Sequence, residues 1–152
     1  MTTTANPYLI RCPACRTRNR IPADKLGKVA RCGKCGGAIP TADVLIAQPH
    51  LVTDANFDDT ILKSPIPALV FAWAPWCGTC SQVAPAFDSF AREARGRVRA
   101  GKLNVDANRQ LANRFNILSV PFLFVFDNGR LKQSLAGVQS KHELMMVMAP
   151  YI

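Results

Sequence analysis

Residues 68–80 read ALVFAWAPWCGTC, and no other stretch constrains the fold as tightly. Ala68 to Trp73 is a continuous apolar run, the pattern of a strand buried on both faces. Cys77 to Ala94 then has helical spacing. Val83, Phe87, Phe90 and Ala91 fall on one side, and Pro85 is expected to kink the helix. Two cysteines separated by two residues therefore sit where a buried strand hands over to a helix. The same spacing occurs twice more, at Cys12/Cys15 and Cys32/Cys35.

The remaining elements extend this nucleus. Asp54 is placed to cap a helix running to about Leu62, and Pro65 and Pro67 break the chain after it. Val98 to Val105 reads as a strand and Asn108 to Phe115 as a short helix. Phe122 to Phe126 and Leu131 to Ala136 flank Asn128-Gly129, the strongest short hairpin signal. Ser140 and Glu143 have capping-box spacing for a last helix to about Tyr151. After the initial helix the order β-α-β-α-β-β-α predicts an α/β fold, a mixed central sheet flanked by helices on both faces.

The first 47 residues differ in kind. They carry eight basic and two acidic residues, a net +6 out of +9 for the 152-residue chain. They lack enough large apolar side chains for a core of their own, so the unit needs a staple. Ile10, Ile21, Leu26, Val29 and Ile39 are expected to cluster around it. The chain divides into a small module at 1–40, a connector at 41–51 and a larger domain at 52–152. An excess of positive charge could attract nucleic acid or an acidic partner. The plainer reading is a solvated face, and nucleic-acid binding is not expected as the main task. No apolar run reaches the roughly 20 residues of a membrane helix. The N-terminus MTTTANPYLIRC lacks the charged-then-apolar pattern of a secretory leader. A cytoplasmic protein with no membrane partner, acting as a monomer, is expected.

Cysteine spacing separates two chemistries. Cys12-x2-Cys15 and Cys32-x2-Cys35 are 16 residues apart, the spacing of a tetrahedral zinc site. Four thiolates close the shell of one structural Zn²⁺ and leave no position for water. Gly33, Gly36 and Gly37 let the second turn fold back on the sulfurs. Two disulfides or free thiols are the alternatives, and disulfides are disfavoured in a cytosolic chain. Cys77 and Cys80 stand alone at a predicted helix N-terminus, where unpaired N–H groups and the helix dipole favour a thiolate. Cys77 is then the nucleophile of a dithiol exchange, and Cys80, one turn on, the resolving thiol.

These residues resemble the thioredoxin family over about Val52 to Ile152. The likeness runs through Trp76-Cys77-Gly78-Thr79-Cys80, Pro85, Lys102-Leu103-Asn104-Val105-Asp106, Val120-Pro121, Asn128-Gly129 and Gly137. The N-terminal zinc-ribbon pattern is similar to the bacterial thioredoxin 2 type, which carries such an extension. The resemblance implies the thioredoxin fold and a protein disulfide reductase. It implies disulfide-containing protein substrates and an NADPH-linked thioredoxin reductase as partners. It also implies a cis bond before Pro121, and a substrate groove formed by Trp76, Gly78, Thr79, Val120, Pro121 and Gly137. Backbone pairing there suits extended segments.

Two residues depart from the family pattern. Thr79 stands where proline is usual. Its N–H and hydroxyl can support a thiolate, so a less reducing potential is expected. Phe71 stands where the family keeps a buried aspartate. As pattern alone it is ordinary core, but it accepts no proton and should raise the pKa of Cys80. Lys102, matching a lysine near that aspartate, is expected to turn to solvent. Ser81 replaces a frequent basic residue. His50 and His142 lie outside the cysteine sites, and the methionines at 145, 146 and 148 are read as packing. The rival reading is a zinc-ribbon adaptor whose basic face binds a partner and whose redox site is secondary. A third, an oxidant or isomerase, fits poorly with a cytosolic setting.

Overall fold

The computed structural model describes residues 7–137 and 139–152. Residues 1–6, half of the stretch without a leader pattern, lie outside the described residues. Two hairpins come first: β1 (Tyr8–Arg11) with β2 (Arg18–Ile21), and β3 (Val29–Arg31) with β4 (Ala38–Pro40). A five-stranded mixed sheet follows, in the order β5-β7-β6-β8-β9. Its strands are β5 (His50–Val52), β6 (Ala68–Trp73), β7 (Arg99–Asn104), β8 (Phe122–Asp127) and β9 (Arg130–Ala136). β5, β7 and β6 are parallel, and β8 and β9 run against them. Helices α1 (Gly78–Glu93), α2 (Arg109–Arg114) and α3 (Lys141–Met148) complete the domain. This is the thioredoxin fold expected above.

The apolar run at Ala68–Trp73 becomes the central strand because both its faces are covered. Leu69 and Phe71 pack with Val83, Phe87, Phe90, Leu144 and Met148 on the α1/α3 side. Ala68, Val70 and Ala72 pack with Phe57, Ile61, Leu111 and Phe124 on the other. At the β8–β9 turn, Asn128 and Gly129 take φ of 53° and 78°, the left-handed pair that a two-residue hairpin needs. Ser140 and Glu143 form the expected reciprocal capping box.

Two local expectations are corrected. Asp54 does not cap a helix to Leu62. The turn there is sealed by Thr53 and Asn56, whose side chains each accept the other's backbone N–H at 3.1 and 2.7 Å. A five-residue π-helical turn, Asp58–Leu62, follows. Asp54 instead accepts the N–H of Leu111 at 2.9 Å, capping α2 across space. Its spacing is right, but a distant helix lacks a cap of its own: Asn108 makes no side-chain cap there. Second, the stretch read as a connector carries a 3₁₀ turn at Ala42–Leu45 and the edge strand β5.

The N-terminal module docks on the domain. Arg11 N–H donates to Pro65 O at 2.8 Å. The Arg16 guanidinium donates to Ser64 O at 3.0 Å and Asn128 Oδ1 at 2.9 Å, and Arg18 donates to Tyr151 O at 3.1 Å. Arg97 stacks over Tyr8 at 4.2 Å, and buried Arg99 pairs with Asp43 at 2.8 Å. Ile10, Ile21 and Ile39 share a small core with Val44 and Ile66. Leu26 joins it partly, but Val29 is 66% exposed, against expectation. It lies on a hairpin with no third layer above it. Nearly all these contacts gather where β6 begins. Cys77 lies past its other end, a six-residue strand or roughly 20 Å away.

Candidate functional site

Two cysteine constellations stand at opposite ends of β6. In the first, the Sγ atoms of Cys12, Cys15, Cys32 and Cys35 all lie within 4.8 Å of one another. Cys12–Cys35 and Cys15–Cys32 are each 3.6 Å apart. A tetrahedron of sulfurs at about 2.3 Å from a metal has edges of about 3.8 Å, so the set fits a four-thiolate ion. Two matched turns present the sulfurs. Cys12 O accepts from Arg16 N and Cys32 O from Gly36 N. The N–H groups of Ala14, Lys34 and Gly37 point at Cys12, Cys32 and Cys35 Sγ, at 3.3–3.4 Å. Asn19 ties the turns together, donating to Cys32 Sγ and accepting Gly33 N–H at 2.9 Å.

The donor chemistry also asks for a cation. The N–H groups of Cys35 and Lys34 draw the Cys32 thiol down to about 6. Gly37 N–H favours ionised Cys35, but the crowding sulfurs of Cys12 and Cys15 push it up to about 11. Four such groups ionise together only around a positive ion. The cluster is a metal site built from one hairpin turn of each ribbon half.

The second constellation is a disulfide-bonded pair, Cys77–Cys80, with Cα atoms 5.3 Å apart. Cys77 is the N-cap of α1, and its Sγ accepts the backbone N–H of Cys80 at 3.1 Å. Helical geometry at Gly78–Cys80 brings that orphan N–H onto the sulfur. Cys77 Sγ lies 3.7 Å from the Val120 carbonyl. The Val120–Pro121 bond is cis, and Gly137 N–H donates to Pro121 O at 3.2 Å. Val120, Pro121 and Gly137 are thus joined, with Val120 beside Cys77. Gly78 and Thr79 are exposed on the first turn of α1. Trp76 is 71% exposed, and its indole N–H donates to Asp106 Oδ2 at 3.0 Å.

Phe71 is fully buried in the cluster that holds Cys77 and Cys80, its ring 5.4 Å from that of Phe87. Lys102 is its register partner on β7, and does not turn to solvent as expected. With the family's aspartate position apolar, its ammonium finds another carboxylate, Asp88 on α1, at 2.7 Å. A crevice of about 210 Å³ is lined by Phe71, Trp73, Cys80, Ser81, Ala84 and Lys102, among others. Cys80 therefore shares a partly open space with one cation and no carboxylate.

Sequence reasoning anticipated an N–H donor at the head of α1, which is that of Cys80, and missed two contributors: Asp106 behind Trp76, and Asp88. Asp106 and Asp88 are not adjacent to either cysteine in sequence: Asp106 follows the end of β7, and Asp88 lies on α1 where it packs toward Lys102 of β7. Thr79, expected to support a thiolate, makes no side-chain hydrogen bond to Cys77 among the described residues; the donor there is the Cys80 N–H.

A family model described as "Thioredoxin" matches residues 48–150, and one described as "Thioredoxin 2, N-terminal" matches residues 11–37. The chain is 37% identical over 94 residues to "Thioredoxin" of Rickettsia felis, covering 62% of this chain and 90% of that protein. It is 37% identical over 101 residues to "Thioredoxin 1" of a Nostoc species, covering 66% and 94%. With "Thioredoxin" of Pseudomonas aeruginosa it shares 38% over 93 residues, covering 61% and 86%.

Proposed function

The chain belongs to the thioredoxin family and is a thiol-disulfide oxidoreductase that reduces protein disulfides; we propose that Cys77 attacks and Cys80 resolves. In the reduced enzyme, the Cys77 thiolate attacks one sulfur of a substrate disulfide. A mixed disulfide forms and the other substrate sulfur leaves as a thiolate. The Cys80 thiolate then attacks Cys77 Sγ, the mixed disulfide breaks, and the second substrate sulfur leaves. The substrate gains two electrons, and the enzyme is left with the Cys77–Cys80 disulfide. The observation that carries this order is the α1 N-terminus: the Cys80 N–H is aimed at Cys77 Sγ, a donor that stabilises a thiolate on Cys77 and not on Cys80.

Trp76, Gly78, Thr79, Val120, Pro121 and Gly137 serve as the groove for an extended substrate segment. Phe71 keeps the Cys80 thiol protonated, and Lys102 partly offsets this from across the crevice. An NADPH-linked thioredoxin reductase returns the dithiol. The ribbon at 1–40 holds one structural Zn²⁺ on Cys12, Cys15, Cys32 and Cys35. Residues 41–51, with the 3₁₀ turn and the first two residues of the edge strand β5, join it to the redox domain at 52–152. The setting is the cytoplasm and the working form a monomer. Among the described residues no helix is long and apolar enough to cross a membrane. The test is insulin reduction driven by NADPH and thioredoxin reductase. Cys77→Ser should abolish turnover, and Cys80→Ser should accumulate substrates linked to Cys77. Turnover that survives Cys77→Ser, or trapping on Cys80 instead, refutes the order.

A further inference from the structure

Seven of the ribbon's eight basic residues sort into two groups by their contacts; Lys34, exposed on the Cys32–Cys35 turn, belongs to neither. Arg11, Arg16 and Arg18 are spent on docking. Arg20, Lys25, Lys28 and Arg31 are not: all four are exposed, and none has an ion pair among the described residues. Of the eleven basic residues beyond Ala47, five (Lys63, Arg99, Lys102, Arg114 and Lys141) each face a carboxylate. The four unneutralised cations converge on one crevice of about 610 Å³ between the hairpins, where Asp24 is the only acid.

Its walls are two strands, each with an edge to spare. Among the described residues β2 pairs only with β1, and β3 only with β4. Residues of both line the crevice, and Asn19 of β2 reaches across to the Cys32 turn beyond β3. Val29, 66% exposed, lies among the cations. A free edge accepts a strand through main-chain hydrogen bonds, and the side chains beside it select the sequence. Here they select negative charge with an apolar residue interspersed. No aromatic side chain lines the crevice, so it lacks the stacking platform on which single-stranded nucleic acid is held.

We propose that the crevice between the two ribbon hairpins binds an extended acidic segment of a partner protein. The crevice is lined by ribbon residues alone, none of them in the substrate groove, so it holds a partner without entering that groove. A protein with both an acidic strand and a disulfide that can reach Cys77 at the same time is held at two points, and its effective concentration at Cys77 rises.

The test uses the full-length, zinc-loaded chain. The probe is a fluorescent eight-residue peptide of alternating Glu and Val. Alternating Gln and Val, and a single-stranded oligonucleotide of the same charge, are the comparisons. The Glu peptide should bind more tightly than the Gln peptide, with affinity falling as salt rises. The variant Lys28→Glu/Arg31→Glu should weaken it by about tenfold or more. Zinc content and insulin reduction should stay unchanged, which separates failure of the ribbon site from failure of the redox reading. The peptide should shift amide resonances of β2 and β3. Equal binding of the Glu and Gln peptides overturns the proposal. So does Glu-peptide binding that the double variant leaves intact, or an oligonucleotide that binds more tightly than the peptide and loses affinity in the same variant.

Discussion

Replacing Phe71 by aspartate restores a carboxylate beside Cys80 and asks what the ring contributes. Phe71 is 1% exposed and packs on Phe87 at 5.4 Å. Removing a ring so placed costs about 3–5 kcal/mol in lost transfer and cavity terms. The new carboxylate adds a desolvation cost. That cost is reduced because the adjoining crevice of about 210 Å³ opens toward water and brings Lys102 close. The attraction to Lys102 is shared, since Asp88 already holds that ammonium at 2.7 Å. The net expectation is a loss of at least about 3–5 kcal/mol. At about 2–4 °C per kcal/mol for a chain of this size, the melting temperature should fall by roughly 10 °C.

The kinetic effect runs the other way. With no base in reach, resolution depends on the fraction of Cys80 already ionised, and should rise about tenfold per pH unit below the Cys80 pKa. A carboxylate in proton-transfer reach replaces that dependence with general-base assistance, worth about 100-fold or more when well placed. The assay is biphasic release of thionitrobenzoate from an aromatic disulfide: the first phase reports attack by Cys77, the second resolution by Cys80. Phe71→Asn gives the polar, non-basic control and Phe71→Leu the apolar one. Phe71→Asp should melt lower than wild type, resolve faster than Phe71→Asn near pH 7, and lose the steep pH dependence. A variant that resolves no faster than Phe71→Asn refutes the role assigned to Phe71, and unchanged melting refutes the packing estimate.

Thr79→Pro removes one of the N–H groups of the first turn of α1, the helix end that Cys77 caps. Its potential against glutathione should be more negative by roughly 30 mV, the equivalent of about 1.4 kcal/mol, and an equal or less negative value refutes the role of Thr79. Stripping the metal with a chelator should unfold the ribbon hairpins, whose core is too small to stand without a staple. The five-stranded sheet should persist in hydrogen exchange, and loss of both together refutes the division into two modules. His50 on β5 has its pKa lowered, first by burial and then by Arg99. The unfolded chain therefore binds the proton more readily, and His50 contributes stability present above about pH 6.5 that is lost as pH falls through its lower folded value. The slope of melting temperature against pH between 7 and 5 should flatten in His50→Gln, and an unchanged slope refutes the assignment.

Most of the sheet and both cysteine sites were legible because their signals are local. Burial on two faces marks β6 by a continuous apolar run, and one helical stripe marks α1. The Asn-Gly turn and the capping box need no knowledge of the rest of the fold. Features that depend on distant elements were not legible. β5 is three residues long, with an exposed Leu51 at its centre, and exists only because β7 offers an edge. Asp54 has the right chemistry for a cap, but which helix it caps is fixed by how Asn108 enters α2. The partner of Lys102 is likewise set across the gap between β7 and α1, and a sequence scan sees only that its usual partner has gone.

One spacing serves two chemistries because the surroundings set the fate of the sulfur. In the ribbon, each turn directs backbone N–H groups at its sulfurs and a second turn supplies two more within 4.8 Å. The accumulated negative charge is then relieved by a cation, and the sulfurs are spent as ligands. At the head of α1 no second pair approaches among the described residues. The Cys80 N–H stabilises one sulfur, an apolar ring lies near the other, and the Val120 carbonyl stands 3.7 Å from Cys77 Sγ. A carbonyl oxygen is a poor fourth neighbour for a soft metal, which prefers thiolate, but it leaves an edge of backbone open to a substrate strand. The asymmetry between the two sulfurs makes one a nucleophile and the other a reserve. Moving Phe71 toward aspartate narrows that asymmetry. The predicted gain in resolution and loss in stability therefore share one physical origin, and the Phe71→Asn control separates the proton acceptor from the missing ring.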